Sequence, residues 1–168
     1  MTTTITGATG VNQITDDAIT VAKLPTGSVL QVVSADFSST TTTNSTSYVD
    51  SGLTATITPT SATSKILVTL TGHYYTDDTG ADVRGYMSLV RGSTQIGWQL
   101  NGAYVGGNSG AGGGFTLYAS GAIQKLDSPS TTNATNYKVQ IKVINSGCNL
   151  NFGGDALAPT LTLMEIAG

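Results

Sequence analysis

The chain has 168 residues, a net charge of −3 and one cysteine, and only 10% of its residues are charged. One domain of ordinary size is expected at this length, and Cys148 has no second cysteine with which to form an internal disulfide. The seven lysines and arginines form no basic stripe and no apolar run is long enough to span a bilayer, so the sequence argues against nucleic acid and membranes as partners.

Helix-forming surface residues are nearly absent from the sequence. Glu165 is the sole glutamate, and threonine occupies many of the positions that glutamate, lysine and arginine usually take. The branched Cβ of threonine favours the pleated surface of a strand over a helix. The composition therefore predicts an all-β fold.

Residues 1–27 carry apolar side chains whose spacing follows neither a helix nor a strand period, so the segment cannot form a core by itself. These side chains are Val11, Ile14, Ile19, Val21 and Leu24. Something outside the segment must cover them, so we expect residues 1–27 to form an anchoring or trimerisation arm and residues 28–168 to form the head. The first residues also lack the pattern of a secretory signal, which predicts synthesis in a cytoplasm without export by that route.

From Ser28 onward, strand-length runs alternate with turn residues, which is typical of an antiparallel, jelly-roll-like β-sandwich. The run from Tyr137 to Val143 places apolar residues at odd positions and polar ones at even positions, so one of its faces is expected to be buried. The Thr-rich tract 38–47 is expected to form an exposed loop or an edge. The predicted strands are 29–33, 48–49, 53–58, 65–71, 83–90, 95–100, 115–118, 122–124, 137–143, 150–152 and 161–166.

No catalytic constellation is evident. His73 is the only histidine, and no Gly-x-Ser-x-Gly elbow accompanies it. The favoured interpretation is a non-catalytic histidine at the end of a strand, either exposed or with its hydrogen bonds satisfied. Cys148 is expected to be a small buried apolar residue. The glycine-rich stretch 106–114 is not followed by the lysine of a phosphate-binding loop. The sequence predicts a protein that is not an enzyme and has no cofactor.

Asp77, Asp78 and Asp82 form the only acidic cluster, and their carboxylates offer oxygen ligands of the kind that Ca²⁺ binds. The cluster lacks the twelve-residue loop of an EF-hand with its terminal glutamate. A solvated turn around residues 76–80 is therefore favoured over a metal site.

Aromatic side chains near turns could stack on sugar rings. Tyr74, Tyr75 and Tyr104 are the candidates for binding a receptor glycan. Trp98 alternates with Ile96 and Leu100, so we expect these three residues to point into the core.

Two stretches of the head, 45–68 and 89–96, resemble a module of bacteriophage fibre and virion-surface proteins, including those of cyanophages and other phages of marine and freshwater bacteria. The segment from Ile14 to Leu24 is similar to a linker found near the start of phage fibres. The resemblance covers roughly Val29 to the C-terminus. It implies a homotrimeric β-sandwich head on an N-terminal arm that docks on a virion protein, although the chain has no long fibre shaft.

These observations together favour a non-enzymatic structural protein on the virion surface, either a short fibre that contributes to host adhesion or a capsid decoration protein. Attachment to the tail and attachment to the capsid both remain open. A carbohydrate-binding β-sandwich module is the alternative from a different class, and a Ca²⁺-dependent hydrolase domain is a third, disfavoured by the missing catalytic residues.

Overall fold

The computed structural model describes Thr20 and residues 23–78, 84–97, 100–101, 115–144, 146–154 and 158–168. The described residues contain no α-helix and fold into two antiparallel sheets that pack against each other, so the prediction of an all-β sandwich is confirmed. The strands are β1 (Val29–Asp36), β2 (Thr40–Thr43), β3 (Val49–Ile57), β4 (Lys65–Asp78), β5 (Gly85–Arg91), β6 (Thr94–Gln95), β7 (Leu100–Asn101), β8 (Phe115–Asp127), β9 (Thr135–Val143), β10 (Cys148–Gly153) and β11 (Thr160–Ile166).

Sheet A is organised around the 14-residue strand β4. Strand β8 pairs with β4 along one side over its whole length from Ile66 to Asp78. On the other side, β11 pairs with the first half of β4 and β10 pairs with the second half. Strands β1 and β2 lie outside β11 and β10 respectively. Strand β8 is therefore common to both halves of β4, whereas on the other side each half has its own neighbours.

Sheet B contains β3, β9, β5 and β6 in that order, and the short strand β7 also pairs with β5. It covers sheet A with β3 packed against β1 and β11, and with β9 packed against β10. Within β3 the pairing with β9 shifts register between Asp50 and Thr54, and Gly52 in this bulge has a φ of +91°. A Cβ atom at Gly52 would also lie 3.0 Å from the ring of Phe37. Both the positive φ and the lack of space therefore favour glycine in this bulge.

The core lies between the two sheets and follows the alternation read from the sequence. In β9 the odd-numbered apolar side chains from Tyr137 to Val143 are each at most 1% exposed, as predicted. The interior residues of β4 agree too, because Ile66, Val68 and Leu70 are all at most 2% exposed. Cys148 is buried at 1% exposure, which confirms its expected role as a small apolar residue.

One buried polar network joins the sheets at the end of β8. The Asp127 carboxylate accepts a hydrogen bond from the Tyr137 hydroxyl and another from the Arg91 guanidinium, each at 2.8 Å. Burial and the hydrogen bond to Asp127 raise the pKa of Tyr137, so this hydroxyl stays protonated. The network fixes β8 of sheet A to β5 and β9 of sheet B.

Several predicted strand boundaries were wrong. Strand β4 continues seven residues beyond the predicted end at Thr71, and the expected turn at 76–80 is still strand as far as Asp78. The predicted runs 115–118 and 122–124 are one strand, β8. The run 95–100 is divided between β6 and β7, and Trp98 lies outside the described residues. The Thr-rich tract 38–47 was predicted to form either an exposed loop or an edge. It contains β2, which is an edge strand of sheet A.

Candidate functional site

The outward face of sheet A is the surface opposite the core, formed by side chains that alternate with the buried ones. In β4 these outward residues include His73, Tyr75 and Asp77, because Gly72, Tyr74 and Thr76 have the opposite phase. Cross-strand register places Tyr118 of β8 directly beside Tyr75 on one side. It places Asn151 of β10 beside Tyr75 on the other side.

Together these strands form a continuous surface that we call the aromatic-amide patch. Its residues are Thr42, His73, Tyr75, Asp77, Tyr118, Asn149 and Asn151. The row from Tyr118 through Tyr75 and Asn151 to Thr42 crosses four neighbouring strands, a width of about 14 Å at the usual strand spacing. Asn151 is only 5% exposed, so the accessible surface of the patch is formed by Tyr118, Asn149 and Thr42 with the half-buried Tyr75 and Asp77.

The aromatic half of the patch is a group of three rings. Tyr118 is 63% exposed, and the centre of its ring lies 5.2 Å from the centre of the Tyr75 ring at a tilt of 34°. The ring of His73 lies nearly parallel to that of Tyr118, with centres 6.4 Å apart. His73 itself is 6% exposed, so its neighbours cover it and Tyr118 presents the accessible surface.

The polar half consists of one carboxylate held by two amides. The Asn149 amide donates to Asp77 Oδ1 at 2.8 Å, and the Asn151 amide donates to Asp77 Oδ2 at 3.2 Å. Asn151 is fixed in turn by the Thr42 hydroxyl, which donates to its Oδ1 at 2.6 Å. These bonds hold the Asp77 carboxylate in one orientation beside the tyrosines. Each carboxylate oxygen retains acceptor capacity for a hydroxyl of a ligand.

The sequence-predicted binding residues are only partly brought together here. Tyr75 belongs to the patch, and both Tyr74 and Tyr75 lie within β4, three to four residues before its end at Asp78. Tyr74 points into the core and is 3% exposed, so its ring is not available at the surface. Tyr104 lies outside the described residues.

Sequence reasoning missed Tyr118, Asn149 and Asn151. The signal for them was alternation: Asn149 and Asn151 alternate with the apolar residues Cys148, Leu150 and Phe152. Tyr118 shares the phase of the polar Thr116. Period-2 reasoning assigns all three to an outward face, but only the register of β4 with β8 and β10 places them beside Tyr75 and Asp77.

The described part of the acidic cluster lies in a strand rather than in a turn. Asp77 and Asp78 are the last residues of β4, and Asp82 lies outside the described residues. Across the described part of the chain, no group of three or more His, Cys, Asp or Glu residues could hold a metal ion. His73 lies in the middle of β4 rather than at its end.

The predicted arm residues Val11, Ile14, Ile19 and Val21 lie outside the described residues. Leu24 is described and is 37% exposed. It lines an open recess of about 470 Å³ together with Leu30, Ala167 and residues of the loop 61–64. The chain therefore enters the head at the end of sheet A where β1 begins and β11 ends.

No protein-family model matches the chain, and no curated protein matches it. Among the described residues, no helix is both long and apolar enough to cross a bilayer.

Proposed function

We propose that this protein is a non-enzymatic β-sandwich displayed on a surface, and that it binds a glycan through the aromatic-amide patch. One observation carries the proposal: the exposed ring of Tyr118, packed against Tyr75, lies beside a carboxylate that two amides hold in place. Sugars have apolar C–H faces that stack on aromatic rings, and hydroxyls that bond to carboxylates and amides. The patch supplies both kinds of partner on one face.

The charges of the patch favour neutral sugars. Its residues include the Asp77 carboxylate but no lysine or arginine. An acidic sugar would bring a second negative charge close to Asp77, which is unfavourable unless a cation compensates it. The ligand that fits is a neutral oligosaccharide long enough to reach from Tyr118 to Asn149, the exposed amide beside Asp77.

Binding to a glycan array tests this proposal. Tyr118→Ala should weaken binding about tenfold or more, since it removes the accessible stacking surface while the exposed position leaves the core intact. Tyr118→Phe should retain most of the affinity. Tyr86→Ala is the matched control, because Tyr86 lies on the outer face of sheet B beside Lys142. Equal binding by the Tyr118→Ala variant and the unmodified chain would contradict the proposal.

The setting that we propose for this binding is a bacteriophage particle, with the chain as a homotrimeric short fibre or capsid decoration protein anchored by residues 1–27. The resemblance of 45–68, 89–96 and the segment Ile14 to Leu24 to phage surface proteins supports it, as does a Thr-rich surface poor in charge. A β-sandwich head suits both forms of display.

Immunogold labelling of purified phage particles tests the setting. Label at the tail identifies a fibre that contacts the host, and label over the capsid shell identifies a decoration protein. Absence of the chain from particles, as measured by mass spectrometry of their proteins, would contradict both forms.

A further inference from the structure

A second feature of sheet A lies at the opposite end of the same outward face. Four apolar side chains stand directly beside one another across β1, β11, β4 and β8, and we call them the apolar row: Val32, Met164, Leu67 and Leu126. Val32 is 56% exposed and Leu126 is 48% exposed, while the two central residues are half-buried. Large apolar groups aligned in a row, rather than scattered singly, mark a surface that another molecule covers.

We propose that the apolar row is the contact surface for a second copy of this chain. The row crosses four neighbouring strands of one sheet, and an apolar sheet face fits another extended surface better than it fits a small molecule, which binds in concave sites. The next row of the same face contains only uncharged polar residues, namely Ser34, Thr162, Thr69 and Gln124.

The distribution of charge favours a copy of the chain as the partner. Lys65 lies at one end of this face beside Ile166, and Asp36 lies at the other end beside Thr160. Charges of opposite sign at opposite ends, with none between them on this face, allow two identical faces to meet about a two-fold axis without like charges opposed. This contact closes at two copies, so it is separate from the threefold association proposed for residues 1–27. A partner of strong net charge would find no complementary group in the middle of the face.

Backbone hydrogen bonds from Gly27 to the Ala167 carbonyl and from Ala167 to the Ser28 carbonyl, each 2.8 Å, fix the start of β1 beside the end of β11. The two strands that carry Val32 and Met164 are therefore held together at the end of the face where the apolar row lies.

The size of the face sets the expected strength of the contact. Four strands by about seven residues give roughly 400 Å² per copy, about half of a standard protein interface. The face alone therefore supports weak association. The contact leaves the glycan patch open, since Leu67 and Tyr75 are about 26 Å apart along β4.

Analytical ultracentrifugation of the full chain tests the inference. The unmodified chain should form an oligomer, and Val32→Lys and Leu126→Lys should each weaken association about tenfold or more, because a lysine buried in the contact would lack a partner. Val32→Thr, which keeps the β-branched shape, should also weaken association, but less than Val32→Lys does. Thr56→Lys is the matched control, as Thr56 is exposed on sheet B.

Two results would overturn the inference. The first is that the unmodified chain stays monomeric at concentrations up to about 100 µM, a range that covers the affinity expected of a small interface. The second is that both lysine variants still form the oligomer while circular dichroism shows that they are folded. Glycan binding per copy should be the same in all these variants. A failure of the apolar row is therefore distinguishable from a failure of the glycan patch.

Discussion

Glu165 is the sole glutamate of the chain, and it is enclosed at 0% exposure at the end of sheet A. Its carboxylate accepts hydrogen bonds from the Gln31 amide at 2.6 Å and from the backbone and hydroxyl of Thr60 at 2.7 and 2.8 Å. Burial by itself would raise the pKa of Glu165, but the hydrogen bonds from Gln31 and Thr60 outweigh it and hold the pKa below its ordinary value of 4.5.

This arrangement predicts a specific dependence of stability on pH. Because the pKa of Glu165 is lower in the folded chain than in the unfolded one, its stabilising contribution is fully present above about pH 4.5 and is lost as the pH falls through the folded value. Glu165→Gln should lower the free energy of unfolding at pH 7 by about 1–3 kcal/mol and should flatten the acid dependence of the melting temperature.

Asp50→Asn is the control for that measurement. The hydrogen bond from Lys138 lowers the pKa of Asp50, but its side chain is 55% exposed and solvent screens the ion pair. Its removal should change the acid dependence much less than Glu165→Gln does. Parallel curves for the unmodified chain and the Glu165→Gln variant between pH 3 and 7 would refute a stabilising role for the buried carboxylate.

At the scale of the element, single strands were predictable where alternation was unbroken. The run from Tyr137 to Val143 is the clearest case, since its odd positions are apolar in the sequence and buried in the fold. The prediction failed along β4, because Gly72 occupies an inward position and the pair Tyr74–Tyr75 obscures the period. A Cβ atom at Gly72 would lie 2.6 Å from the Cα atom of Pro159, so close packing explains the glycine that interrupted the pattern.

Strand β8 was divided for a similar reason. Ser120 and Gly121 look like a turn in the sequence, but Gly121 lies directly opposite Gly72 in the ladder. Two glycines side by side leave a gap in the inward pattern of two paired strands. The local preference of Ser120 and Gly121 predicted a turn between two strands. Pairing with the long strand β4 keeps these residues in a single strand instead.

At the scale of the whole molecule, the fold class followed from composition, but the candidate site did not. The residues Tyr75, Tyr118 and Asn151 come from three strands, and only strand order and register bring them together. The apolar row depends on register in the same way, because its four residues are separated by up to 132 positions in the sequence yet lie side by side. A single sequence predicts outward faces but not which outward residues become neighbours.

In the account that we propose, the two features divide the outward face of sheet A between two roles. The half of β4 next to β11 presents the apolar row, and the half next to β10 presents the aromatic-amide patch. Copies that meet through the apolar row would hold several patches in one assembly. Multivalent display of this kind raises the avidity of a weak glycan site without any new contact.

The measurement that tests the central claim most directly is a two-dimensional NMR titration of the labelled full chain with a neutral oligosaccharide selected on the array. Binding at the aromatic-amide patch predicts amide shift changes concentrated at Tyr75, Asp77, Tyr118, Asn149 and Asn151, with little change in β3, β5 and β9. Shift changes confined to sheet B, or no changes at saturating ligand, would contradict the assignment of this face as the glycan site.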